Sequence, residues 1–596
     1  MKSLKTTSLF KIAFLFILNL YFKNLIVFII SLIYLFLVDK KSIIFLLSIF
    51  LVYTLAYKIC LDYIPYGYVY KTSDDYFVAD KIFYKVKVDS NNYVEVGDIV
   101  SFKGSGKRIE DEDLLKQNII YLNNNYSKCH ISSPYKNTLK RLDFFQDNAN
   151  LFKKILFNDY VDDNNLDYYL GYGFAFYYLL QTVFRRNKYL SIVLLFVYSI
   201  FFGFETKLLL LLIDFFLSFF KLDKVAKLSL KILVISFLNF YLFFNYSFLI
   251  SLIFSLIYST DVGNNPFVLG IIQSYYFGQV GLLSCVFHSA YTSLTIIVFL
   301  VSLIVFYCPF LLNFYLLLMK AFSFVIKIMT FGIRGKISYL TIVILFISYF
   351  LVNEYKKYIL YVELIICLVF FNNPISHVSF VDVGQGDAIL IKDKENTLID
   401  TGSSYNYSKL KRELYNQGIY TIDHLIITHS DSDHSGNISA LQRDFKVKEI
   451  IEDGKDVDSG NIYLQYLYVD EYDNDNDNSL IYYLSINNLS FLFTGDISKN
   501  VERELLNKYK INHIDVLKCS HHGSKTGTDS YFVSKILPRF AIISTSGLYG
   551  HPHQDTIDTL NSYLVDIYST KEKGSIHFYF SLFNLLKTDT DVILIN

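Results

Sequence analysis

The sequence predicts a polytopic α-helical membrane protein with two water-soluble modules, a small β-barrel insert and a C-terminal domain of short strands and amphipathic stretches. Three observations carry this. Hydrophobic residues make up 53% of the 596 positions, mean hydropathy is +0.34, and the apolar residues are pooled rather than spread. Residues 8–60 and 165–371 are almost unbroken runs of Leu, Ile, Phe, Val and Tyr. A helical span needs about 20 apolar residues, so the runs have room for roughly ten to twelve spans. By contrast, 63–160 and 375–596 have ordinary soluble composition, and in the latter short apolar strands end repeatedly on Asp or His. A cytosolic or secreted enzyme and a disordered scaffold are both excluded by this pattern.

The first block, 1–62, divides into apolar stretches at about 8–22, 24–38 and 42–61. Lys2 and Lys5 precede the first without a small-residue cleavage site, which reads as an uncleaved anchor. Lys40 and Lys41 favour a cytoplasmic loop, putting the following segment outside. In that segment, 63–160, VYKTSDDYFVAD and KIFYKVKVDS alternate polar with apolar residues, Asn91-Asn92 marks a turn, and Gly97 interrupts a further strand. Several short strands with glycine bends suit a small barrel of the OB type, with a generic β-sandwich loop domain as the alternative. The second apolar block, 161–373, has basic loops at Arg185, Arg186 and Lys188, at Lys221, Lys224, Lys227 and Lys231, and at Arg334 and Lys336. Its ionisable residues Glu205, Asp214, His288 and Glu363 are candidates for lining a cavity. Two spans after the Arg334 loop would put the C-terminal module on the side of that loop, whereas a surface-lying 357–371 would put it on the other. The six cysteines show no CxxC spacing or disulfide framework.

The chemistry lies in 374–596. VSFVDVGQGDAILIKD is a hairpin-like pair, NTLIDTG a strand ending at Asp400, and DHLIITHSDSDHSG a strand running into a His/Asp turn. SFLFTGD ends on Asp496, HIDVLKCSHHGS ends on a His pair, and RFAIISTSG with YGHPH follows. Sheet formation brings strand ends together, so these groups are expected to converge on one edge. His429, Asp431, Asp433 and His434 form H-x-D-x-D-H, and imidazole mixed with carboxylate is the donor set for Zn²⁺, Mn²⁺ or Fe²⁺. Gln385, Asp387, Ser524, Lys525, Ser544 and Thr545 lie on adjacent predicted loops and are candidates for holding substrate. Cys519 is either a soft ligand or a buried thiol.

This constellation resembles the metallo-β-lactamase superfamily, whose usual H-x-H-x-D-H has here an aspartate, Asp431, for its second histidine. That replacement, with DVGQGDA, LIDTG, FTGD, LKCSHHGS and YGHPH in order, is similar to the C-terminal domain of ComEC-type DNA-internalisation competence proteins. The resemblance implies an OB-like module, a competence-type membrane domain and a C-terminal αβ/βα metallo-β-lactamase-like hydrolase, acting on single-stranded DNA in a multi-pass cell-membrane protein. It implies two divalent ions, Mn²⁺ or Zn²⁺, with His429 and Asp431 on one and Asp433 and His434 on the other. Asp496 would bridge them, and His521 or His522 with His553 would complete the ligand sets. Asp400 would orient ligands from behind, so catalysis is expected to depend on Asp433, His429 and Asp400. The carboxylate of Asp431 hardens the site toward Mn²⁺ or Mg²⁺ and suits phosphodiesters. Competence machinery (a DNA receptor and an ATPase) would be the further partners.

Against tight independent DNA binding, 375–596 carries roughly a dozen more acids than bases, including the run DEYDNDND at 470–477, which reads as a solvated loop. The family's Ser-Gly-Leu-His stretch is also not visible near 171–180. Both observations keep a second reading open: a membrane-anchored metallohydrolase of a small phosphodiester or lipid headgroup, with no channel. A third reading, a channel with a purely structural hydrolase domain, sits poorly with the complete ligand set.

Overall fold

The computed structural model describes much of 66–157, 188–202, 213–239 and 265–370, and nearly all of 375–595, with only three single positions before residue 66. The predicted spans before residue 62, Glu205 and the 171–180 stretch lie outside the described residues. Two compact units are present, Met1–Asn265 with Phe287–Ile326, and Pro266–Val286 with Lys327–Asn596.

In the first unit, alternating apolar residues build a seven-stranded sheet between Tyr66 and Ser132. Its pairings are antiparallel except for Lys85–Asp89 beside Ile119–Leu122. Because side chains alternate across a strand, one face delivers Val69, Phe77, Val86, Val88, Val100 and Phe102 to a common core. The edges of the ladder are Lys107–Arg108 and Tyr126–Ser132, which do not pair with each other among the described residues. The segment is therefore β-rich as expected, with the barrel closure not among its ladders. Beyond it, the rings of Phe145, Phe152, Phe202, Phe306 and Tyr315 pack together, Phe145 stacked on Phe306 and Phe152 on Tyr315. Arg141 donates to the carbonyls of Phe306 (2.8 Å) and Tyr307 (3.1 Å), tying these helices together.

Lys231 corrects the sequence reading. It lies not in a loop but within the helix Lys224–Asn239, buried, with its ammonium 2.5 Å from Asp214. That pairing gives Asp214 a structural partner. Glu363 likewise accepts a hydrogen bond from Ser348. Among the described residues one helix, Pro309–Thr330, is long and apolar enough to cross a membrane, and Phe310, Phe314, Leu317 and Phe324 on it are exposed.

In the second unit, two sheets pack face to face. The first contains β1 (Ser376–Phe380), β2 (Ile389–Lys392), β3 (Asn396–Ile399), β4 (Thr421–Ile426) and β5 (Lys446–Ile451). The second is β6 (Val457–Asp458), β7 (Tyr463–Tyr466), β8 (Tyr482–Ile486), β9 (Leu489–Phe493), β10 (Val516–Lys518), β11 (Phe540–Ile543) and β12 (Asp566–Ser569), in that spatial order. Strands β13 (Ile576–Phe580), β14 (Asn584–Lys587) and β15 (Val592–Ile595) return to the first sheet, whose order is β5-β4-β3-β2-β1-β13-β14-β15. Period-two alternation splits each strand between layers: Phe491 and Phe493 enter the core between the sheets, while Leu492 faces the helix Lys499–Lys508. Each fully buried Phe or Leu contributes roughly 1.5–3 kcal/mol. Tyr407, Leu410, Leu414 and Leu441 cover the outer face of the first sheet. The result is an αβ/βα sandwich.

Strands β3-β4-β5 run parallel, as do β9-β10-β11-β12, so their carboxyl ends lie together within each sheet. The Arg334 loop of the same unit docks on this domain. Its guanidinium lies over Tyr415, Tyr420 and Phe445 and donates to the carbonyls of Ile419 (2.7 Å) and Asp444 (3.1 Å).

Candidate metal centre

Six loops at the strand ends deliver the polar groups. Asp387 comes from the β1–β2 loop, Asp400 from the end of β3, and His429 to His434 from the end of β4. Asp496 follows β9, His521 and His522 follow β10, and Ser544 to His553 follow β11. Their backbone is unusual. Asp400 (φ 60°), His521 (φ 48°) and His522 (φ 54°) are left-handed although none is glycine, conformations that persist where surroundings over-determine them and that cluster at functional sites. Gly386 (φ 111°) is required by close approach, since a Cβ there would lie 2.1 Å from the carbonyl oxygen of Asp433.

Asp496 is the centre of the arrangement. Its Oδ2 is 3.3 Å from His434 Nε2 and 3.4 Å from His522 Nε2, with His521 Nε2 at 3.9 Å. His522 Nε2 also lies 3.2 Å from Asp433 Oδ2, and the His429 and His434 rings are 4.1 Å apart. The other ring nitrogens are anchored. His434 Nδ1 donates to Asp400 (2.9 Å) and His522 Nδ1 donates to the Ser544 carbonyl (2.9 Å). His429 Nδ1 lies 3.0 Å from the Thr428 hydroxyl and 3.3 Å from that of Ser479. Asp400 is fixed in turn by the Thr428 amide and hydroxyl, both at 2.8 Å. This leaves the Nε2 atoms of His429, His434 and His522 buried without a hydrogen bond.

Three inward imidazole nitrogens around a buried carboxylate, each oriented through its opposite nitrogen, is how metal-binding histidines are held. The triads His429/His434/Asp496 and Asp433/His434/His522 each place their donors within 4.8 Å of one another, as do Asp387/Asp496/His522 and Asp387/Asp400/His434. The donors therefore fit a divalent cation of the Zn²⁺ or Mn²⁺ type.

Electrostatics agree. Burial alone would lower the basicity of His434 and His522, yet Asp496, with Asp400 beside His434 and Asp433 beside His522, raises both. Burial alone would raise the Asp496 pKa, but His522, His434 and Lys518 hold it well below the usual carboxylate range. Asp433 is held at about 2 against burial by His522 and His434. Burial and the neighbouring His434 lower His429, and burial also lowers His521.

Several expected residues sit differently. Asp431 is half exposed, its Oδ2 3.7 Å from His429 Nε2, at the rim. His553 is in none of these triads: its Nδ1 accepts from the Lys525 amide at 3.3 Å, and it occupies the N-cap position of the helix Gln554–Ser562 without a side-chain cap bond. His551 instead lies beside the pair, its ring 5.8 Å from His521 and 6.4 Å from His522, and burial lowers its pKa to about 4. The sequence offered two histidines in YGHPH, and nothing in their spacing distinguished them. Of the expected substrate-holding residues only Lys525 is exposed. Gln385 is held by Thr545 and Ser546, Ser524 is buried, and Ser544 supplies its carbonyl to His522. Asp387 is buried against Lys518, a residue the sequence reading missed, whose position before the His pair was the available signal. Cys519 is a core thiol with its pKa raised by burial to about 12. The acidic run is partly tied down, because Asp475 accepts from Ser430 (2.5 Å) and Asp477 from the Ser498 amide (2.7 Å).

Parts of the chain are similar to known proteins. A profile of the Metallo-beta-lactamase superfamily matches residues 381–479. ComE operon protein 3 of Bacillus subtilis is 29% identical over 252 residues, covering 34% of this chain and 32% of the relative. Recombination protein 2 of Haemophilus influenzae is 29% identical over 234 residues (35% and 29%). Competence protein ComA of Neisseria gonorrhoeae is 26% identical over 217 residues (33% and 31%). The matches thus span about a third of the length of these relatives. Similar solved structures include a diphosphatase of the PhnP family (14% identity, 33% of this chain and 85% of that one, TM-score 0.23). Another is CmlA, a diiron β-hydroxylase from Streptomyces venezuelae (13% identity, 39% and 58%, TM-score 0.25).

Proposed function

We propose, from the premise that this chain is a homologue of ComEC-family competence proteins with a metallo-β-lactamase domain at its C-terminal end, that it acts in DNA uptake. In this reading 161–373 forms a conduit for single-stranded DNA across the cell membrane and 374–596 is a metal-dependent nuclease or phosphodiesterase. The carrying observation is the set of three buried, unbonded imidazole Nε2 atoms around Asp496. His429, His434, His522, Asp433 and Asp496 would hold the metal, Asp431 and His521 stand at the rim, and Asp400 orients His434. Divalent metal there supplies charge stabilisation at the phosphate and lowers the pKa of water. The chain's own contribution is to fix the imidazoles in one tautomer and keep Asp496 ionised. Lys525, exposed beside the His pair, is placed to meet a phosphate. The exposed apolar side chains on Pro309–Thr330 favour contact with a bilayer. Purified full-length protein with Mn²⁺ should cleave single-stranded DNA, and Asp433→Ala should abolish cleavage. Inactivity on every DNA substrate would refute the nuclease half.

The acidic surplus of 375–596 favours a second reading, hydrolysis of a small phosphodiester or lipid headgroup without a conduit. Transformation unaffected by deletion of the gene would decide for it.

A further inference from the structure

Lys518 lies at the end of β10 with no exposed surface, beneath the imidazoles. Its ammonium has three hydrogens and three acceptors: the Gly495 carbonyl (2.8 Å), Asp496 Oδ1 (3.3 Å) and Asp387 Oδ2. A cation fixed at that point already bridges Asp387 and Asp496, the two carboxylates of the Asp387/Asp496/His522 triad. The Asp387/Asp400/His434 triad is also committed, because His434 Nδ1 donates to Asp400. Two triads remain, His429/His434/Asp496 and Asp433/His434/His522, and both require His434. With Nδ1 engaged, that ring has one nitrogen left to give. Sites for such ions use three or four protein donors, and filling either triad leaves the other with two.

We propose that the centre holds a single tightly bound divalent ion, with the Lys518 ammonium standing permanently in the place of a second cation between Asp387 and Asp496. This rests on the reading of the site as a metal centre and revises the expectation of two ions. Lys518 touches no substrate; it is a positioning residue that fixes ion stoichiometry.

The test counts ions. Full-length protein in detergent is stripped with chelator, reloaded with Mn²⁺, freed of excess and analysed for manganese per chain. Wild type should retain one, Lys518→Arg should retain one, and Lys518→Gln should retain two or bind a second Mn²⁺ at least tenfold more tightly. Two tightly held ions in wild type overturn the proposal while leaving the metal centre intact, as does a folded Lys518→Gln variant with unchanged stoichiometry. Retention of none overturns both. If Lys518→Gln fails to fold, the wild-type and Lys518→Arg counts still decide.

Discussion

Asp400 accepts the Nδ1 hydrogen of His434 at 2.9 Å, and both side chains are almost completely buried. This bond decides which nitrogen His434 presents to Asp496, and so whether the centre has an inward donor at that position. Asp400→Asn removes the charge that holds the tautomer. We expect a 10–100-fold loss of Mn²⁺ affinity with little change in the fold, read by titration calorimetry. Unchanged affinity would show that His434 is oriented by packing alone.

Gly386 tests the close approach of the β1–β2 loop to the His/Asp turn. A methyl group at this position meets the Asp433 carbonyl, and φ of 111° is strained for any other residue. Gly386→Ala should displace Asp433, cost about 1–3 kcal/mol in unfolding experiments and remove metal-dependent hydrolysis. A variant with wild-type activity would contradict the packing described.

The β-rich segment has a pH signature. Burial would raise the pKa of Asp98, but hydrogen bonds from Lys128 (2.6 Å) and Lys136 lower it to about 2. The folded pKa lies below the unfolded value, so the stabilisation is complete above about pH 4 and is lost as pH falls toward 2. With solvent screening allowed for, it amounts to about 1–2 kcal/mol. Asp98→Asn should remove that acid-sensitive component, seen as a flatter melting-temperature profile between pH 4 and 2.

Arg334 fastens its loop to the hydrolase domain through three rings and two carbonyls, so loop and domain must share one side of any bilayer the chain crosses. Single cysteines replacing Phe331 and Tyr405, both exposed, should react with an impermeant maleimide from the same side in oriented vesicles. Labelling from opposite sides would break the docking.

The sandwich was legible because short apolar strands such as SFLF and FAII are separated by polar loops, and because several of these strands end on a ligand-type residue. His429, His434 and Asp496 were legible on that basis. His551 and Lys518 were not. The choice between His551 and His553 depends on how the YGHPH turn is oriented, and the His553 ring accepts from the Lys525 amide. Lys518 looks like an ordinary strand-end lysine until the sheet places it beneath two carboxylates from different loops. Asp387 was expected at substrate for the same reason, since its burial depends on Lys518. Lys231 was misread because a basic residue in an apolar run suggests a loop unless its partner, Asp214, is known.

The central claim, that the buried Nε2 atoms of His429, His434 and His522 are metal donors around Asp496, with His434 common to both candidate triads, is tested most directly by pulsed electron paramagnetic resonance of Mn²⁺-loaded protein. The account predicts nitrogen couplings from directly bound imidazole that weaken in His434→Ala. A manganese signal without nitrogen coupling, or one unaltered by His434→Ala, would contradict it.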